Sequence, residues 1–163
     1  MRLFAAILLD EPFKKAVIAC QSELRKKALS GNFTHPSNFH LTLAFIGEMR
    51  DPAASLRAVK SIRFDPFVVN LKGSGRFGTL HWLGIESGKQ AEALANQLRD
   101  ALRREGVPFD TKPFKAHITV AREVECFGEP IRLTVPEAAM TVTRIALMKS
   151  ERINGKLVYT EIK

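Results

Sequence analysis

The spacing of apolar and polar residues divides the first part of the chain into strands and helices. Residues 2–9 form a nearly uninterrupted apolar run, typical of a buried strand, and apolar side chains recur at helical spacing over residues 11–28. The Gly-, Asn- and Pro-containing residues 30–37 predict a loop, and residues 39–46 predict a second strand. A short helix is predicted over residues 52–62, because proline is favoured in the first turn of a helix.

The middle of the chain predicts two strands followed by the clearest helix. Residues 67–71 and 80–86 have strand-like composition, and the glycine-rich residues 73–78 between them indicate a connecting loop. Over residues 91–102, apolar side chains recur at positions i, i+3, i+4 and i+7, so one face of this helix is apolar. Gly106 ends the helical pattern.

The last third of the chain predicts strands only. Asn154 and Gly155 indicate the tight turn of a final hairpin. The predicted strands cover residues 116–122, 131–135, 140–149 and 157–162. Because strands outnumber helices and do not alternate regularly with them, we predict an α+β fold of mostly antiparallel sheets with helices covering one side.

Length and composition indicate one folded domain over residues 1–163. A chain of this length can bury roughly 70% of its unfolded surface, and 45% hydrophobic with 26% charged residues is an ordinary globular composition. The apolar run near the start is too short to span a bilayer, and acidic Asp10 and Glu11 follow it. Cys20 and Cys126 have no metal-binding spacing. We therefore expect a cytoplasmic protein without a membrane partner.

The charge balance gives a weak indication of a partner. Lys and Arg number 25 against 17 Asp and Glu, which gives a formal net charge of +8. A positive surface attracts polyanions such as RNA and speeds their arrival. Many basic proteins bind no nucleic acid specifically. The net charge therefore restricts the possible functions of the chain less than its sequence motifs do.

One short motif occurs twice, far apart in the chain. The first copy is His40-Leu41-Thr42-Leu43-Ala44 and the second is His117-Ile118-Thr119-Val120-Ala121. In a strand, residues i and i+2 point to the same face, so each histidine shares a polar face with its threonine while the residues between face the core. If the two strands lie side by side, two imidazoles and two hydroxyls converge on one cleft.

This pair of motifs fits the chemistry of phosphodiester cleavage. In-line displacement at phosphorus needs a base on the entering oxygen and an acid on the leaving oxygen, on opposite sides of the phosphorus. Two histidines suit these roles, because an unperturbed pKa near 6.5 allows one to be neutral and the other protonated. The hydroxyls of Thr42 and Thr119 can donate hydrogen bonds to the non-bridging oxygens. No metal or other cofactor is then required.

On these residues the chain resembles the 2H phosphoesterase superfamily, and within it the RNA 2′,3′-cyclic phosphodiesterases historically called 2′-5′ RNA ligases. The paired His-x-Thr-x motifs are the hallmark of that family, and the similarity extends over essentially the whole chain. Beyond the motifs it includes residues 2–7 and 45–48, Trp82-Leu83-Gly84, Lys149-Ser150, Gly155 and Tyr159.

The resemblance implies a bilobal fold of two similar, intertwined halves whose central strands carry the histidines in a cleft. It also implies that water opens a terminal 2′,3′-cyclic phosphate on RNA, or a small cyclic nucleotide, to leave a 2′-phosphate. By family analogy His40 is the proton donor to the leaving 3′-oxygen and His117 is the proton acceptor that activates water. The expected protein is a monomer that needs no protein partner.

The resemblance further implies two substrate-binding residues. Members of the family often hold the nucleotide with an aromatic residue five positions after the first histidine and an arginine five after the second, and Phe45 and Arg122 match these offsets. In a regular strand the fifth residue after a histidine points to the opposite face. Phe45 and Arg122 can therefore reach the cleft only if each strand ends or bulges before that residue. Otherwise Phe45 is a core residue and Arg122 a surface cation. Many relatives have proline before the second histidine, where this chain has Ala116.

Three alternative functions remain open at this point. A 2′-5′ RNA ligase differs from the hydrolase only in the direction of an equilibrium, and a non-catalytic RNA-end binder would use the cleft for recognition alone. A zinc hydrolase is disfavoured, because His-x-Thr lacks the nearby second ligand that such a site needs.

The remaining polar and aromatic candidates have simpler interpretations. His35 is expected in an exposed loop, and His81 and Trp82 are expected to pack within a strand. Arg76 and Lys115 are interpreted as solvated cations near the cleft. The glycine-rich segment is not a phosphate-binding loop, because no Gly-Lys-Ser/Thr follows it.

Overall fold

The structure is a computed structural model that describes residues 1–128 and 130–163. It contains three α-helices: α1 (Glu11–Lys27), α2 (Ala53–Ser61) and α3 (Gln90–Arg104). A short 3₁₀ helix covers Pro36–Asn38. The strands of the described residues are β1 (Arg2–Leu8), β2 (Ser30–Phe33), β3 (His40–Glu48), β4 (Phe67–Phe77), β5 (Leu80–Glu86), β6 (His117–Glu125), β7 (Ala139–Val142), β8 (Ala146–Ile153) and β9 (Lys156–Ile162).

The strands form two sheets in which neighbouring strands pair antiparallel. The first sheet has four strands in the order β3-β1-β8-β9, and the second has five in the order β2-β6-β5-β4-β7. In each sheet, a strand that begins with a motif histidine lies beside a central strand: β3 beside β1 and β6 beside β5. The predicted α+β fold with two similar halves is therefore confirmed.

Helices cover the outer faces of the two sheets. Helix α1 packs on β2 and β6 of the second sheet, while α3 packs on β3 and α2 packs on β8 of the first sheet. Their apolar sides and the outward-facing strand residues form one continuous core. We call the first sheet with α2 and α3 the first lobe, and the second sheet with α1 the second lobe. Strands β3 and β6, one from each lobe, approach within 8 Å between Cα atoms.

The helices follow from local sequence signals. The side chain of Asp10 accepts a 2.9 Å hydrogen bond from the backbone N–H of Phe13 and so caps the start of α1. Basic residues in the last turn of α1 complement the negative end of its dipole. In α3 the predicted apolar face is fully buried, at Ala91, Leu94, Ala95, Leu98, Ala101 and Leu102.

The strand predicted at residues 131–135 is wrong. Its alternating Ile131, Leu133 and Val135 do pack against the core, which explains the strand-like pattern. The backbone pairs with side chains of α1 instead of a neighbouring strand: Thr134 N–H donates to Glu23, and the carbonyl of Arg132 accepts from Lys27. An alternating apolar pattern indicates that one side of a segment is buried. To be a strand, the segment must also form backbone hydrogen bonds with a neighbouring strand.

The single strand predicted at residues 140–149 is divided between the lobes. Its first part is β7, which pairs with β4 in the second sheet, and its second part is β8, which pairs with β1 in the first. Residues 143–145 make the crossing. The strand-like pattern of residues 140–149 is compatible with both arrangements, because each part buries apolar side chains in its own sheet.

Two predicted loops are also partly strands. Residues 30–33 form β2 and pair with β6. The glycine-rich segment belongs to β4, which continues to Phe77 past a bulge between Leu71 and Ser74, so that only a tight turn joins β4 to β5. The final hairpin turn is confirmed, since Asn154 and Gly155 have φ of 52° and 77°. Within the described residues no helix has the length and apolar character needed to cross a membrane.

Candidate active site

The two motif histidines have matching backbone contacts. His40 and His117 are the first residues of β3 and β6, and each is half-buried. The Nδ1 of His40 lies 2.8 Å from the carbonyl oxygen of Asn38, and the Nδ1 of His117 lies 2.6 Å from that of Lys115. A carbonyl oxygen only accepts, so Nδ1 carries the proton in both rings. This leaves Nε2 of each ring as the nitrogen that can exchange a proton.

The motif threonines lie beside these reactive nitrogens. The Oγ1 of Thr42 is 2.7 Å from Nε2 of His40. Thr119 has the same position on β6, two residues after His117, and is likewise half-buried while Ile118 between them is fully buried. Both motifs therefore present a histidine and a threonine on the side of the strand that faces away from the helices.

The two motifs meet at the cleft between the lobes. Burial lowers the pKa of His40, and the positive charges of His117 and Arg122 lower it further, while the hydrogen bond to Asn38 opposes the shift. Strands β3 and β6, which carry the two motifs, also approach within 8 Å between Cα atoms, so His117 and Arg122 lie near His40. The structure thus brings together side chains from two strands that are distant in the sequence.

A bulge at the same place in each motif strand alters which side the next residues face. The pairing of β3 with β1 shifts at Leu43 and Ala44, and the pairing of β6 with β5 shifts at Val120 and Ala121. Because one extra residue reverses the alternation, the fifth residue after each histidine returns to the histidine's side. Phe45 and Arg122 are those residues.

The contacts of Phe45 and Arg122 agree with this geometry. Phe45 is half-buried and packs against the small apolar cluster on the cleft side of the first sheet, with the guanidinium of Arg2 5.0 Å from its ring centroid. Arg122 is exposed, and its charge lowers the pKa of both His40 and Tyr159, although burial raises the pKa of Tyr159 overall. Both lie on the histidine side, as the family offsets require.

Aromatic residues surround His40 in the first lobe. The rings of Phe4 and Tyr159 lie 4.8 Å and 5.3 Å from the His40 ring, centroid to centroid, and 4.8 Å from each other. Phe4 belongs to residues 2–7 of the family resemblance but was not identified as a site residue, because one aromatic in an apolar strand is indistinguishable from a core residue. Tyr159 entered only through the family resemblance.

A second aromatic group lies beside His117 in the second lobe. The rings of Phe77 and Trp82 are 5.8 Å and 6.3 Å from that of His117, so Trp82 lines the cleft instead of only packing within its strand. The Nζ of Lys115 lies 4.6 Å from the Trp82 ring, and Lys115 is therefore not simply a solvated cation. His81 is buried, as expected, and His35 is exposed with its Nδ1 2.7 Å from the hydroxyl of Ser37.

A buried glutamine holds the bulge of β6. The side-chain amide of Gln21, on α1, donates to the carbonyl of Thr34 at 2.6 Å and to the carbonyl of Val120 at 2.9 Å. Val120 is in the bulge that turns Arg122 toward the cleft, and its carbonyl also accepts from the backbone N–H of Thr34. The sequence gives no signal for this contact, since a glutamine on a helix is usually exposed.

No three His, Cys, Asp or Glu side chains lie close enough together to hold a metal ion in the part of the chain that the structure describes. The polar groups that converge on the cleft are imidazoles, hydroxyls and a guanidinium. Such groups are suited to bind an anion.

Two lobes that each supply a His-x-Thr strand to one cleft define the class of protein as a two-histidine phosphoesterase. The chain belongs to the 2′-5′ RNA ligase superfamily, whose family model matches residues 10–154. The resemblance inferred from the sequence is confirmed by this match.

Named relatives and solved structures agree with this assignment. The chain is 33% identical to an RNA 2′,3′-cyclic phosphodiesterase of Thermotoga maritima over 131 residues, covering 75% of this chain and 70% of the relative. It is 31% identical to the RNA 2′,3′-cyclic phosphodiesterase of Escherichia coli K12 over 170 aligned positions, covering 99% and 94%.

Two crystal structures have the same fold over nearly the whole chain. TT0787 of Thermus thermophilus superposes with a TM-score of 0.85 at 28% identity, covering 100% of this chain and 96% of the other. E. coli LigT complexed with 3′-AMP superposes with a TM-score of 0.82 at 29% identity, covering 99% and 95%.

Proposed function

We propose that this protein is an RNA 2′,3′-cyclic phosphodiesterase that hydrolyses a terminal cyclic phosphate to a 2′-phosphate by histidine acid and base catalysis. The observation that supports it most is the matched state of the two imidazoles. Each donates from Nδ1 to a carbonyl two residues earlier, and each leaves Nε2 for proton transfer. The relatives named for this activity cover nearly the whole chain.

In the proposed reaction, the phosphate lies between His40 and His117. His117 Nε2 accepts a proton from water as the water oxygen attacks phosphorus, and His40 Nε2 donates a proton to the 3′-oxygen as its bond to phosphorus breaks. Nδ1 remains protonated throughout, because the carbonyl contact of each ring stabilises the resulting imidazolium. No metal ion enters any of these steps.

The remaining cleft residues stabilise charge on the phosphate. The hydroxyls of Thr42 and Thr119 donate to the non-bridging oxygens, where negative charge increases during the displacement. Arg122 supplies a positive charge to the same anion. The nucleoside that carries the phosphate packs against Phe45 in the first lobe, and the net charge of +8 favours the approach of RNA.

The pKa of His40 must respond to substrate for His40 to act as the acid. Burial lowers this pKa, and the charge of Arg122 lowers it further, which favours the neutral ring. A phosphate anion beside the ring has the opposite effect, because negative charge stabilises the imidazolium. Substrate binding therefore prepares the proton donor.

The test is hydrolysis of adenosine 2′,3′-cyclic phosphate with identification of the product. We expect 2′-AMP, and we expect His117→Ala and His40→Ala each to lower kcat by at least about 10²-fold with unchanged circular dichroism, since each removes one acid or base. His35→Ala, in the exposed loop, is the matched control. A 3′-phosphate product, or full activity in either motif variant, would contradict the proposal, and a chelator should not change the rate.

A further inference from the structure

The carbonyl group that orients the His40 ring belongs to a buried asparagine. Asn38 is the last residue of the 3₁₀ helix Pro36–Asn38 and is only 7% exposed, although asparagine is usually accessible to solvent. Its backbone carbonyl accepts the hydrogen bond from Nδ1 of His40 at 2.8 Å. The position of Asn38 therefore affects which nitrogen of the His40 ring carries the proton.

The side chain of Asn38 joins this turn to a strand that is distant in the sequence. Its Nδ2 donates a 2.9 Å hydrogen bond to the backbone carbonyl of Leu157, 119 residues later and the second residue of β9. A backbone hydrogen bond of the turn itself, from the N–H of Phe39 to the carbonyl of Pro36, is local. Local bonds do not determine where a turn lies relative to a sheet, and the amide of Asn38 supplies that connection.

Strand β9 also carries an aromatic ring that lies against His40. Tyr159 follows Leu157 by two residues, and its ring lies 5.3 Å from that of His40 with an interplanar angle of 83°. The ring of Phe4, from β1, lies 4.8 Å from the same imidazole. Because Asn38 binds both β9 and the His40 ring, it fixes the position of this imidazole relative to Tyr159.

The corresponding residue of the second motif has different surroundings. The carbonyl that accepts from Nδ1 of His117 belongs to Lys115, which is exposed. The Nζ of Lys115 lies 4.6 Å from the centroid of the Trp82 ring. The carbonyl contact of His40 is thus supported by a buried amide, and that of His117 follows an exposed side chain.

We propose that Asn38 is a positioning residue for His40, whose side-chain amide binds the Leu157 carbonyl and so holds the Asn38 carbonyl where it keeps the imidazole proton on Nδ1. This inference rests on the proposed function for the role of His40 as proton donor. Asn38 is too buried to contact substrate, so its effect on catalysis passes through the His40 ring. A ring with its proton on Nε2 cannot accept a proton there and return it.

The tautomer of His40 tests the proposal without any substrate. The variant is Asn38→Leu, which removes the amide and keeps a side chain of similar size. The measurement is a long-range proton–nitrogen NMR spectrum at a pH at which the ring is neutral. We expect the proton on Nδ1 in the unmodified protein and a mixture of tautomers in Asn38→Leu. A single Nδ1 tautomer in the variant, or a proton on Nε2 in the unmodified protein, overturns the proposal.

The pKa of His40 is a second measurement on the same samples. The hydrogen bond to the Asn38 carbonyl raises this pKa against the effect of burial, so we expect the pKa to fall further in Asn38→Leu. The groups that face the ring from other elements, His117 and Arg122 of β6 and Tyr159 of β9, are retained in the variant. An unchanged or higher pKa of His40 would show that the carbonyl contact does not depend on the amide.

Turnover separates positioning from a general loss of structure. We expect Asn38→Leu to lower kcat for adenosine 2′,3′-cyclic phosphate at least about tenfold with KM changed less than about twofold, since a misplaced acid affects the transition state more than binding. Gln97→Leu is the matched control, because it also loses an amide hydrogen bond to a distant backbone carbonyl, that of Arg63, but at an exposed site. Unchanged kcat in Asn38→Leu, or an equal loss in Gln97→Leu, contradicts the proposal.

A smaller substitution covers the case in which Asn38→Leu does not fold. Asn38→Ala also removes the amide, introduces no bulk beside Leu157, and is expected to give the same changes in tautomer, pKa and kcat. Failure of the proposed function is recognised separately, by a lack of cyclic phosphate hydrolysis in the unmodified protein. The two NMR measurements still decide the role of Asn38 in that case.

Discussion

His40 and His117 have the same backbone contact but different surroundings. His40 lies between Phe4 and Tyr159, and its burial is the main cause of its lowered pKa. Arg122 contributes to that shift from the opposite lobe. The charge of Arg122 therefore favours the neutral form of His40, and an anion bound nearby would have the opposite effect.

We expect Arg122→Gln to raise the pKa of His40, because it removes one of the positive charges that oppose its protonation. The measurement is a titration of the His40 Cε1–H signal by NMR. Arg76→Gln is the control, since the charge of Arg76 lowers the pKa of His81 and is not among the causes acting on His40. A His40 pKa that is unchanged or lower in Arg122→Gln would show that Arg122 does not face this ring.

At the scale of elements, the bulge in each motif strand determines which of its later residues face the cleft. Each one comes between the third and fourth residues after its histidine, and each brings a fifth residue to the cleft. In β6 the bulge is held from behind by Gln21 of α1. A helix that covers the outer face of the second lobe thus affects the position of a side chain on its inner face.

We expect Gln21→Leu to lower kcat/KM through Arg122. Loss of the charge-assisted contact in Arg122→Gln should cost about 1.5–3 kcal/mol, or about 10- to 100-fold. If Gln21 acts by positioning Arg122, Gln21→Leu reduces the rate in the unmodified protein but has little further effect in Arg122→Gln. This coupling is measured by a double-mutant cycle on cyclic phosphate hydrolysis.

The matched control is Gln97→Leu, because the Gln97 side chain also donates to a backbone carbonyl but lies at an exposed site away from β6. Gln21→Leu should also lower the free energy of unfolding by about 1–3 kcal/mol, since two carbonyls lose a buried donor. Additive effects of Gln21→Leu and Arg122→Gln on kcat/KM would contradict the positioning role.

At the scale of the whole molecule, one continuous core joins both lobes. Its residues come from the outer faces of both sheets and from all three helices. The chain also crosses between lobes within residues 143–145, and α1 packs on the second sheet although it follows directly from β1 of the first. We therefore propose that residues 1–163 unfold in a single cooperative transition.

We expect the stability of the protein to fall when the pH drops below about 6.5. The pKa values of His40 and His81 are lowered mainly by burial, so the unfolded chain takes up these protons first as the pH decreases. The contribution of these two histidines to the free energy of unfolding is fully present above the pKa of histidine in the unfolded chain. Below that pKa it declines by up to about 1.4 kcal/mol per pH unit for each proton taken up. Chemical denaturation between pH 7.5 and 5 measures this.

His81→Gln should reduce that pH dependence, because it removes one of the two imidazoles whose pKa is lowered by burial. The Glu161 carboxyl, whose pKa is lowered by Arg144, also contributes to stability. This contribution is lost only at more acidic pH, so it does not affect the comparison. Equal slopes for His81→Gln and the unmodified protein over this range would exclude His81 as a source of the acid sensitivity.

The sequence by itself determined the class of fold, the three helices, the final hairpin turn and the family. Periodicity and turn residues depend on local chemistry, and a motif that occurs twice is visible without coordinates. It also predicted that His40, Thr42, His117 and Thr119 form one site, because displacement at phosphorus needs both an acid and a base and the motif supplies two histidines. The experiments above test the role of this site.

Only the tertiary structure decided where backbone hydrogen bonds are made. It divided residues 140–149 between two sheets, left residues 131–135 outside any strand and made the glycine-rich segment part of β4. It also introduced the bulges that turn Phe45 and Arg122 to the cleft, and it placed the Trp82 ring beside His117. Strand pairing joins residues distant in the sequence, and a one-residue shift in register reverses every later side chain, so local patterns do not specify it.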